Sequence, residues 1–380
     1  MSQPRNAVQE MTNKVFPVLE QCAGATDAAG AWPTRSIQAL RDSGLLGLTL
    51  PKEVGGQGAG MADFVKVTEK IALRCGSTAM IYLMHVCGAQ VIAASPSPKK
   101  SDLMKQMAAG KALATLAFSE SGSRSHFWAP VSKAARNSTS TVLNCEKSFV
   151  TSAGQADYYV VSSGAINGKS PVHSTLYLVE KGAPGITYGN WNGMGLRGNA
   201  SGPMTIAGCH VDDASRLTAE GEGFKALMDT VLPWFQIGNA AVSIGIADAA
   251  ATAAATHAAN THFEHLGQSI AESLPGVRAR LARMRIAVDS ARAYLNQTVD
   301  KISSGAPDVM LFVLGSKALA AETALNVTDE AMRACGGAAF NRSLSVERNF
   351  RDARAASIMA PTTDVLYDFI GKAVTGLPLF

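Results

Sequence analysis

The hydrophobic pattern of this chain changes twice along its 380 residues, and that order constrains the fold more than any single motif. Apolar residues recur at helical spacing up to about residue 113. Short β-branched runs, separated by Asn, Gly, Ser and Pro, then replace them. Long helical repeats return from residue 216 onward. The pattern therefore predicts an N-terminal α-helical domain over 1–113, a central β-domain over 114–215 and a C-terminal helical region over 216–380.

The predicted elements of the second and third regions differ in length. The strands are expected at 114–118, 141–145, 158–162, 174–179 and 203–207. The later helices are expected at 237–259, 281–302, 309–335 and 363–374. Because 47% of the residues are hydrophobic and only 6% are aromatic, the helices should pack closely through small and aliphatic side chains.

Charge and cysteine content argue against several classes of function. The net charge is only +4 and the basic residues are spread along the chain, so nucleic-acid binding is not predicted. The six cysteines show neither a CxxC pair nor a His/Cys ligand spacing, which predicts no metal site and no disulfide framework. Free thiols favour a reducing, cytoplasmic location.

Two apolar stretches, 79–94 and 237–259, approach the length of a membrane span. His85 interrupts the first and Asp248 the second, and alanine is the main residue of the second. We therefore predict buried helices of a bundle and no membrane contact. Residues 1–21 mix charged and apolar side chains and lack the continuous apolar core of a signal peptide.

Five short motifs occur in a distinctive order along the chain. Phe118-Ser119-Glu120 opens the β-region and Lys147-Ser148-Phe149-Val150-Thr151 follows it. Met194-Gly195-Leu196-Arg197, Cys335-Gly336-Gly337 and the segment 351–364 come later. Each motif alone is weak, but their order and spacing over about residues 36–370 resemble the acyl-CoA dehydrogenase family.

The resemblance implies an α+β fold with an N-terminal α-helical domain, a central antiparallel β-domain and a C-terminal four-helix bundle. It implies FAD as the cofactor, with Phe149 at the edge of the isoalloxazine ring and Thr151 near its hydride-accepting nitrogen. The glycine pair would approach the FAD pyrophosphate of a neighbouring subunit, which implies a homodimer or homotetramer. The implied FAD contacts are Phe118, Ser119, Phe149, Thr151, Arg333, Gly336, Gly337, Thr362 and Asp364.

The expected catalytic base is missing from the sequence. Most of the family carries Glu where this chain has Ala360, and a subset places the base near Phe235, where no carboxylate stands either. Asp364 is the nearest carboxylate to the vacant position. We interpret it as a helix cap or an FAD contact in preference to an acid–base group. The implied substrate pocket comprises Ser125, His126, Trp234, Phe235, Gln236, Met359 and Ala360.

Several other polar residues have structural interpretations. Glu120 is interpreted as structural, and His85 as a core histidine satisfied by a backbone carbonyl. His262 or His265 could replace a family arginine, although surface histidines are usually unremarkable. The glycine-rich segment 53–58 is interpreted as a turn, since no strand precedes it as a phosphate-binding motif requires.

The sequence leaves three functions open. The first is an FAD-dependent oxidoreductase that oxidises an acyl-CoA or a related small-molecule substrate by hydride transfer to flavin. The second is a flavin-dependent monooxygenase or oxidase of the same fold, which needs no α-base and acts on a substrate without CoA. The third is a catalytically inactive flavin-binding protein. The sequence does not identify the electron acceptor.

Overall fold

The N-terminal region folds into helices around one apolar helix. The structure is a computed structural model and describes residues 4–124, 126–137 and 140–378. The helices are α1 (Pro4–Ala29), α2 (Thr34–Asp42), α3 (Met61–Ala72), α4 (Gly76–Ala94) and α5 (Lys100–Ala108). Helix α4 is apolar on nearly all sides and lies in the core, where α3 and α5 pack against it. The segment 53–58 forms a turn, as predicted, with Gly55 at a φ of 88°.

Two small sheets form the central region. Their strands are β1 (Ala114–Ala117), β2 (Ala135–Arg136), β3 (Thr141–Lys147), β4 (Tyr158–Gly164), β5 (Ser174–Glu180), β6 (Ile186–Tyr188) and β7 (Met204–Val211). One sheet has the order β1–β4–β5 and the other has the order β2–β3–β7–β6. In β3, alternate residues from Thr141 to Lys147 are buried, which is the period of a strand with one covered face.

One strand pairing differs from the antiparallel expectation. Strands β1 and β4 run parallel, with Ala114 opposite Tyr158, whereas the other described pairings of these two sheets are antiparallel. The connection explains the difference, because parallel neighbours need a long crossover. Residues 118–157 provide one, and they contribute β2 and β3 to the other sheet on the way.

The C-terminal region is a bundle around one central helix. Its elements are α6 (Gly223–Ala226), α7 (Leu232–Asn260), β8 (His262–Phe263), β9 (Gln268–Ser269), α8 (Ile270–Ser273), α9 (Pro275–Ser304), α10 (Val309–Cys335), α11 (Gly337–Phe340), α12 (Val346–Ile358) and α13 (Thr363–Thr375). Helix α7 packs against α3, α9, α10 and α12. Helix α12 was not predicted, because its buried face includes Asn349 and Asp352 and so breaks the apolar period.

Within the described part of the chain, three helical segments are long and apolar enough to cross a membrane by length and composition alone. They are Gly76–Ala94, Gly223–Asn260 and Val309–Cys335, and the most apolar windows of these segments are 78%, 72% and 50% buried within the protein. The sequence prediction anticipated the first two as buried helices. In this fold all three pack against neighbouring helices of the same chain.

Candidate functional site

A cleft of about 830 Å³ opens between the central sheets and the C-terminal bundle. Its lining is mostly apolar and comes from α4, from the turns after β1 and β3, from the start of α7, and from α12 and the segment that follows it. The lining residues include Met80, Met84, Leu116, Phe118, Ser119, Glu120, Phe127, Phe149, Thr151, Trp191, Met194, Leu196, Phe235, Arg354, Ile358, Met359, Ala360 and Thr362. The cleft thus gathers residues from all three predicted regions.

One side of the cleft, called here the β-wall, consists of Phe118, Ser119, Phe149 and Thr151. The hydroxyl of Thr151 is 2.9 Å from that of Ser201, and its carbonyl accepts a hydrogen bond from Thr115 at 2.7 Å. Phe149 is 64% exposed. Its ring stands edge-on to another cleft residue, Trp191, with 6.5 Å between centroids. The β-wall therefore combines fixed hydroxyls with an uncovered aromatic ring.

A buried ion pair lies behind the β-wall. Nζ of Lys147 is 2.6 Å from Oε1 of Glu120 and donates to the carbonyl of Ser162 at 2.6 Å. Glu120 also accepts hydrogen bonds from the backbone of Val131 and from both backbone and hydroxyl of Ser132. Burial pushes the pKa of Glu120 upward, but the Lys147 charge and these hydrogen bonds outweigh it, so the pKa is lowered. Glu120 therefore has a structural role beside the β-wall, as predicted.

The opposite side, called here the bundle wall, consists of Phe235, Met359, Ala360 and Thr362. Phe235 comes from the first turns of α7, and the other three lie in the connection from α12 to α13. Ala360 is half-buried, and its methyl side chain carries no ionisable group. Among the described residues that line the cleft, Glu120 is the only carboxylate. The bundle wall thus offers no carboxylate base from its own residues.

Lys317 lies directly behind the bundle wall, and the motifs did not reveal it. Its Nζ is fully buried and donates to the carbonyl of Met359 at 2.7 Å and to that of Pro361 at 2.5 Å. It also lies 5.9 Å from the centroid of the Phe235 ring. Burial lowers the pKa of Lys317 to about 7, although the two carbonyls and the ring favour the protonated form. A single charge inside an otherwise apolar stretch of α10 was the available sequence signal.

The motif at 194–197 joins the central region to α12. The backbone N–H of Leu196 donates to Oδ1 of Asp352 at 2.6 Å, and burial raises the pKa of Asp352 to about 6. A Cβ on Gly195 would lie 2.4 Å from the carbonyl oxygen of Arg351, so only glycine permits this approach. This contact closes one end of the cleft.

Four of the residues predicted for the chain's own site lie outside the cleft lining. His126 is exposed and stacks on Trp128, and Trp234 is half-buried against Phe64 at 5.3 Å. Gln236 is fully buried and is not among the residues that line the cleft. Asp364 is exposed in the first turn of α13, where a carboxylate favours the helix dipole. Ser125 lies outside the described residues.

The predicted contacts to a neighbouring subunit's cofactor lie on the outer surface. Arg333 is exposed and pairs with Asp329 at 2.8 Å. Gly336 and Gly337 follow it at the end of α10, and a Cβ on either would meet nothing within 4 Å. These residues do not line the cleft of their own chain. His262 is likewise exposed outside it.

His85 is a satisfied core histidine, as predicted. Its Nε2 is 2.8 Å from the carbonyl of Leu46, and its Nδ1 accepts from the backbone N–H of Ala114 at 3.0 Å. These two partners fix the neutral tautomer with the proton on Nε2. Burial lowers the pKa of His85 to about 4.

The cleft fits the flavin that the resemblance implies. A large aromatic side chain that is 64% exposed, as Phe149 is, leaves a flat apolar surface that a planar ring system can cover. The hydroxyls of Ser119 and Thr151 stand on the same wall and can hydrogen-bond to polar ring atoms. Residues on this side would therefore hold FAD, and the bundle wall would face it.

Comparisons with known proteins agree with this geometry. The chain matches the acyl-CoA dehydrogenase N-terminal domain over 3–111, the middle domain over 115–209 and the C-terminal domain over 221–375. Cyclohex-1-ene-1-carbonyl-CoA dehydrogenase of Geobacter metallireducens is 29% identical over 92% of this chain and 91% of its own. The 3-sulfinopropanoyl-CoA desulfinase of Paraburkholderia xenovorans is 29% identical over 94% of this chain and 92% of its own.

Among solved structures, butyryl-CoA dehydrogenase of Megasphaera elsdenii shares the fold. Its TM-score is 0.90 at 24% identity, and the alignment covers 97% of this chain and 98% of the other. The three domain matches together span nearly the whole sequence. The chain therefore belongs to the acyl-CoA dehydrogenase family and is an FAD-dependent oxidoreductase of that type.

Proposed function

We propose that this protein oxidises an acyl-CoA thioester bound between the β-wall and the bundle wall. The observation that carries the proposal is the mostly apolar cleft of about 830 Å³ that Phe149 and Thr151 line together with Met359 and Ala360. Such a volume suits an acyl chain beside a planar cofactor. The names of relatives that match over at least nine-tenths of both chains also specify CoA thioesters.

The β-wall is the proposed cofactor side. Phe118, Ser119, Phe149 and Thr151 would orient the ring system, and the Lys147–Glu120 pair behind them would keep that side rigid. When bound, FAD accepts a hydride from the substrate carbon beside it. We further propose that Arg333, Gly336 and Gly337 contact the FAD of a second copy, because they lie exposed and open on the outer surface.

The proton is the unusual part of the proposed reaction. Dehydrogenation of a thioester removes an α-proton, which needs an acceptor within hydrogen-bond reach. Ala360 cannot accept it, and Glu120 is already committed to Lys147 and Ser132. We therefore propose that the α-proton passes to solvent water that enters the cleft with the substrate, because no side-chain carboxylate of the described cleft residues is free to take it. Deprotonation by a carboxylate at position 360 is not part of this protein's mechanism.

The direct test is anaerobic titration of the FAD-loaded protein with saturated acyl-CoAs of increasing chain length. Loss of the oxidised flavin absorbance, together with formation of the enoyl product, is expected for at least one chain length. A thioester deuterated at the α-carbon should slow the reaction if proton removal limits it. Complete silence across the panel would contradict the proposed oxidation.

The missing carboxylate favours a second candidate, a flavin-dependent monooxygenase or oxidase acting on a substrate without CoA. Its chemistry reacts reduced flavin with oxygen and needs no α-base. Rapid oxygen consumption after chemical reduction of the flavin, with a hydroxylated product, would support this candidate. Slow reoxidation together with reduction by acyl-CoA would support the first. A cytoplasmic location and a homodimeric or homotetrameric state remain predictions under either candidate.

A further inference from the structure

The connection between α12 and α13 is held from behind by one side chain. Lys317 reaches it from α10 and donates to the carbonyls of Met359 and Pro361, the two residues that flank Ala360. The Met359 carbonyl belongs to the peptide that enters Ala360, and the Pro361 carbonyl belongs to the peptide that leaves Pro361. The two bonds therefore restrain the chain before Ala360 and after Pro361, and Ala360 lines the cleft between them.

Burying the charged ammonium group of Lys317 at this position costs free energy. It is fully buried, and it has no carboxylate within ion-pair distance among the described residues. An ammonium group loses its hydration at such a site and regains only two carbonyls and an aromatic face. An apolar residue would fill the same space at lower cost, but it could not tie the two carbonyls together.

We propose that Lys317 is a positioning residue that sets the direction of residue 360 and thereby the shape of the bundle wall. The inference rests on the proposed function only in treating this cleft as the substrate site. Lys317 does not touch the cleft itself, so it acts through Met359, Ala360 and Pro361.

A thiol probe at the wall tests the proposal without substrate. The variant Ala360→Cys places a thiol in the cleft, and its rate of alkylation by iodoacetamide is followed by peptide mass spectrometry. Adding Lys317→Met should raise that rate at least fivefold, because the released segment samples more orientations. A change smaller than fivefold would overturn the proposal.

Controls separate positioning from general loosening. The native thiols Cys87 and Cys335, both buried, should react at unchanged rates. Lys301→Met is a matched control, since Lys301 also lies over an aromatic ring, at 4.3 Å from Phe312, but away from the cleft. If Lys317→Met does not unfold cooperatively, Lys317→Gln is used instead. It keeps a shorter donor and should give a smaller increase.

A second readout uses the thioester. Lys317→Met should weaken the apparent affinity for acyl-CoA at least fivefold, measured from the change that acyl-CoA causes in the flavin spectrum. The FAD content should stay equal to that of the unmodified protein. An unchanged apparent affinity would count against Lys317 even if the thiol rate rose. If the unmodified protein shows no thioester response, the proposed function fails, and the thiol rates alone decide the role of Lys317.

Discussion

A buried lysine lies behind each wall of the cleft, but the two lysines have different partners. Lys147, behind the β-wall, pairs with Glu120 at 2.6 Å. Lys317, behind the bundle wall, meets only backbone carbonyls and an aromatic ring, and burial lowers its pKa to about 7. The β-wall therefore keeps a complete ion pair, whereas the bundle wall has a lysine in place and no carboxylate at Ala360. The wall proposed to hold the cofactor thus has its charge paired, whereas the wall proposed to face the α-proton lacks a carboxylate.

Installing a carboxylate on the bundle wall should have the largest effect. Ala360→Glu would place a general base at the vacant position, and we expect the rate of flavin reduction by an acyl-CoA to rise about 10²–10⁴-fold. Stopped-flow absorbance under anaerobic conditions measures it. Ala360→Gln is the matched control, because it has the same shape and no basic carboxylate. Equal rates in both variants would mean that position 360 does not face the α-carbon.

Removing each lysine tests whether the two walls are held differently. Lys147→Met leaves Glu120 as a buried unpaired charge and should lower the free energy of unfolding by about 3–5 kcal/mol. Lys317→Met leaves only neutral carbonyls unpaired, with an expected loss of about 1–3 kcal/mol. Denaturant unfolding measures both. Equal losses would remove the contrast between the walls, and the exposed pair variant Lys225→Met should leave stability unchanged.

Low pH should lower the free energy of unfolding through His85, which accepts a hydrogen bond from the backbone of the first residue of β1. Its folded pKa of about 4 lies below the ordinary value of 6.5, so the unfolded chain takes up the proton first as pH falls. Stability present above pH 6.5 is therefore lost progressively down to pH 4, by about 3 kcal/mol in total. The difference between unmodified protein and His85→Gln in urea unfolding across this range isolates the effect. A pH-independent difference would contradict it.

The smallest expected effect concerns the exposed ring of the β-wall. Phe149→Ala removes the aromatic surface assigned to flavin and should weaken FAD binding by about tenfold, equivalent to about 1.4 kcal/mol. Fluorescence titration of the apoprotein with FAD measures the dissociation constant. Tyr367→Ala, which removes an aromatic ring that is 51% exposed on α13 and outside the cleft, is the control. Equal dissociation constants in the two variants would place the flavin elsewhere.

Much of the fold was accessible from local sequence pattern. The run at 114–118 became β1 (Ala114–Ala117), and the run at 203–207 became β7 (Met204–Val211). The short strands β2 and β6 escaped prediction because two or three residues carry no periodicity. Helix α12 escaped because Asn349 and Asp352 occupy its buried face, and Asp352 accepts a hydrogen bond from Leu196, which is distant in sequence.

Only part of the predicted site lines the cleft. Phe118, Ser119, Phe149, Thr151, Phe235, Met359, Ala360 and Thr362 meet in one cleft, as the motifs suggested. His126, Trp234, Gln236 and Asp364 are not in the lining. His126 stacks on Trp128, Trp234 packs against Phe64, Gln236 is fully buried and Asp364 is exposed, so their side chains are directed elsewhere. Sequence position alone does not fix that direction on a helix or a turn.

The α, β, α order and the lack of a carboxylate at position 360 could be read from residue types and local periodicity. The support of that position follows from long-range packing. Lys317 lies 42 and 44 residues before the two carbonyls that it holds, and the packing of α10 against α12 and α13 brings them together. Hydrogen bonds over such separations depend on how helices pack, which no local pattern encodes.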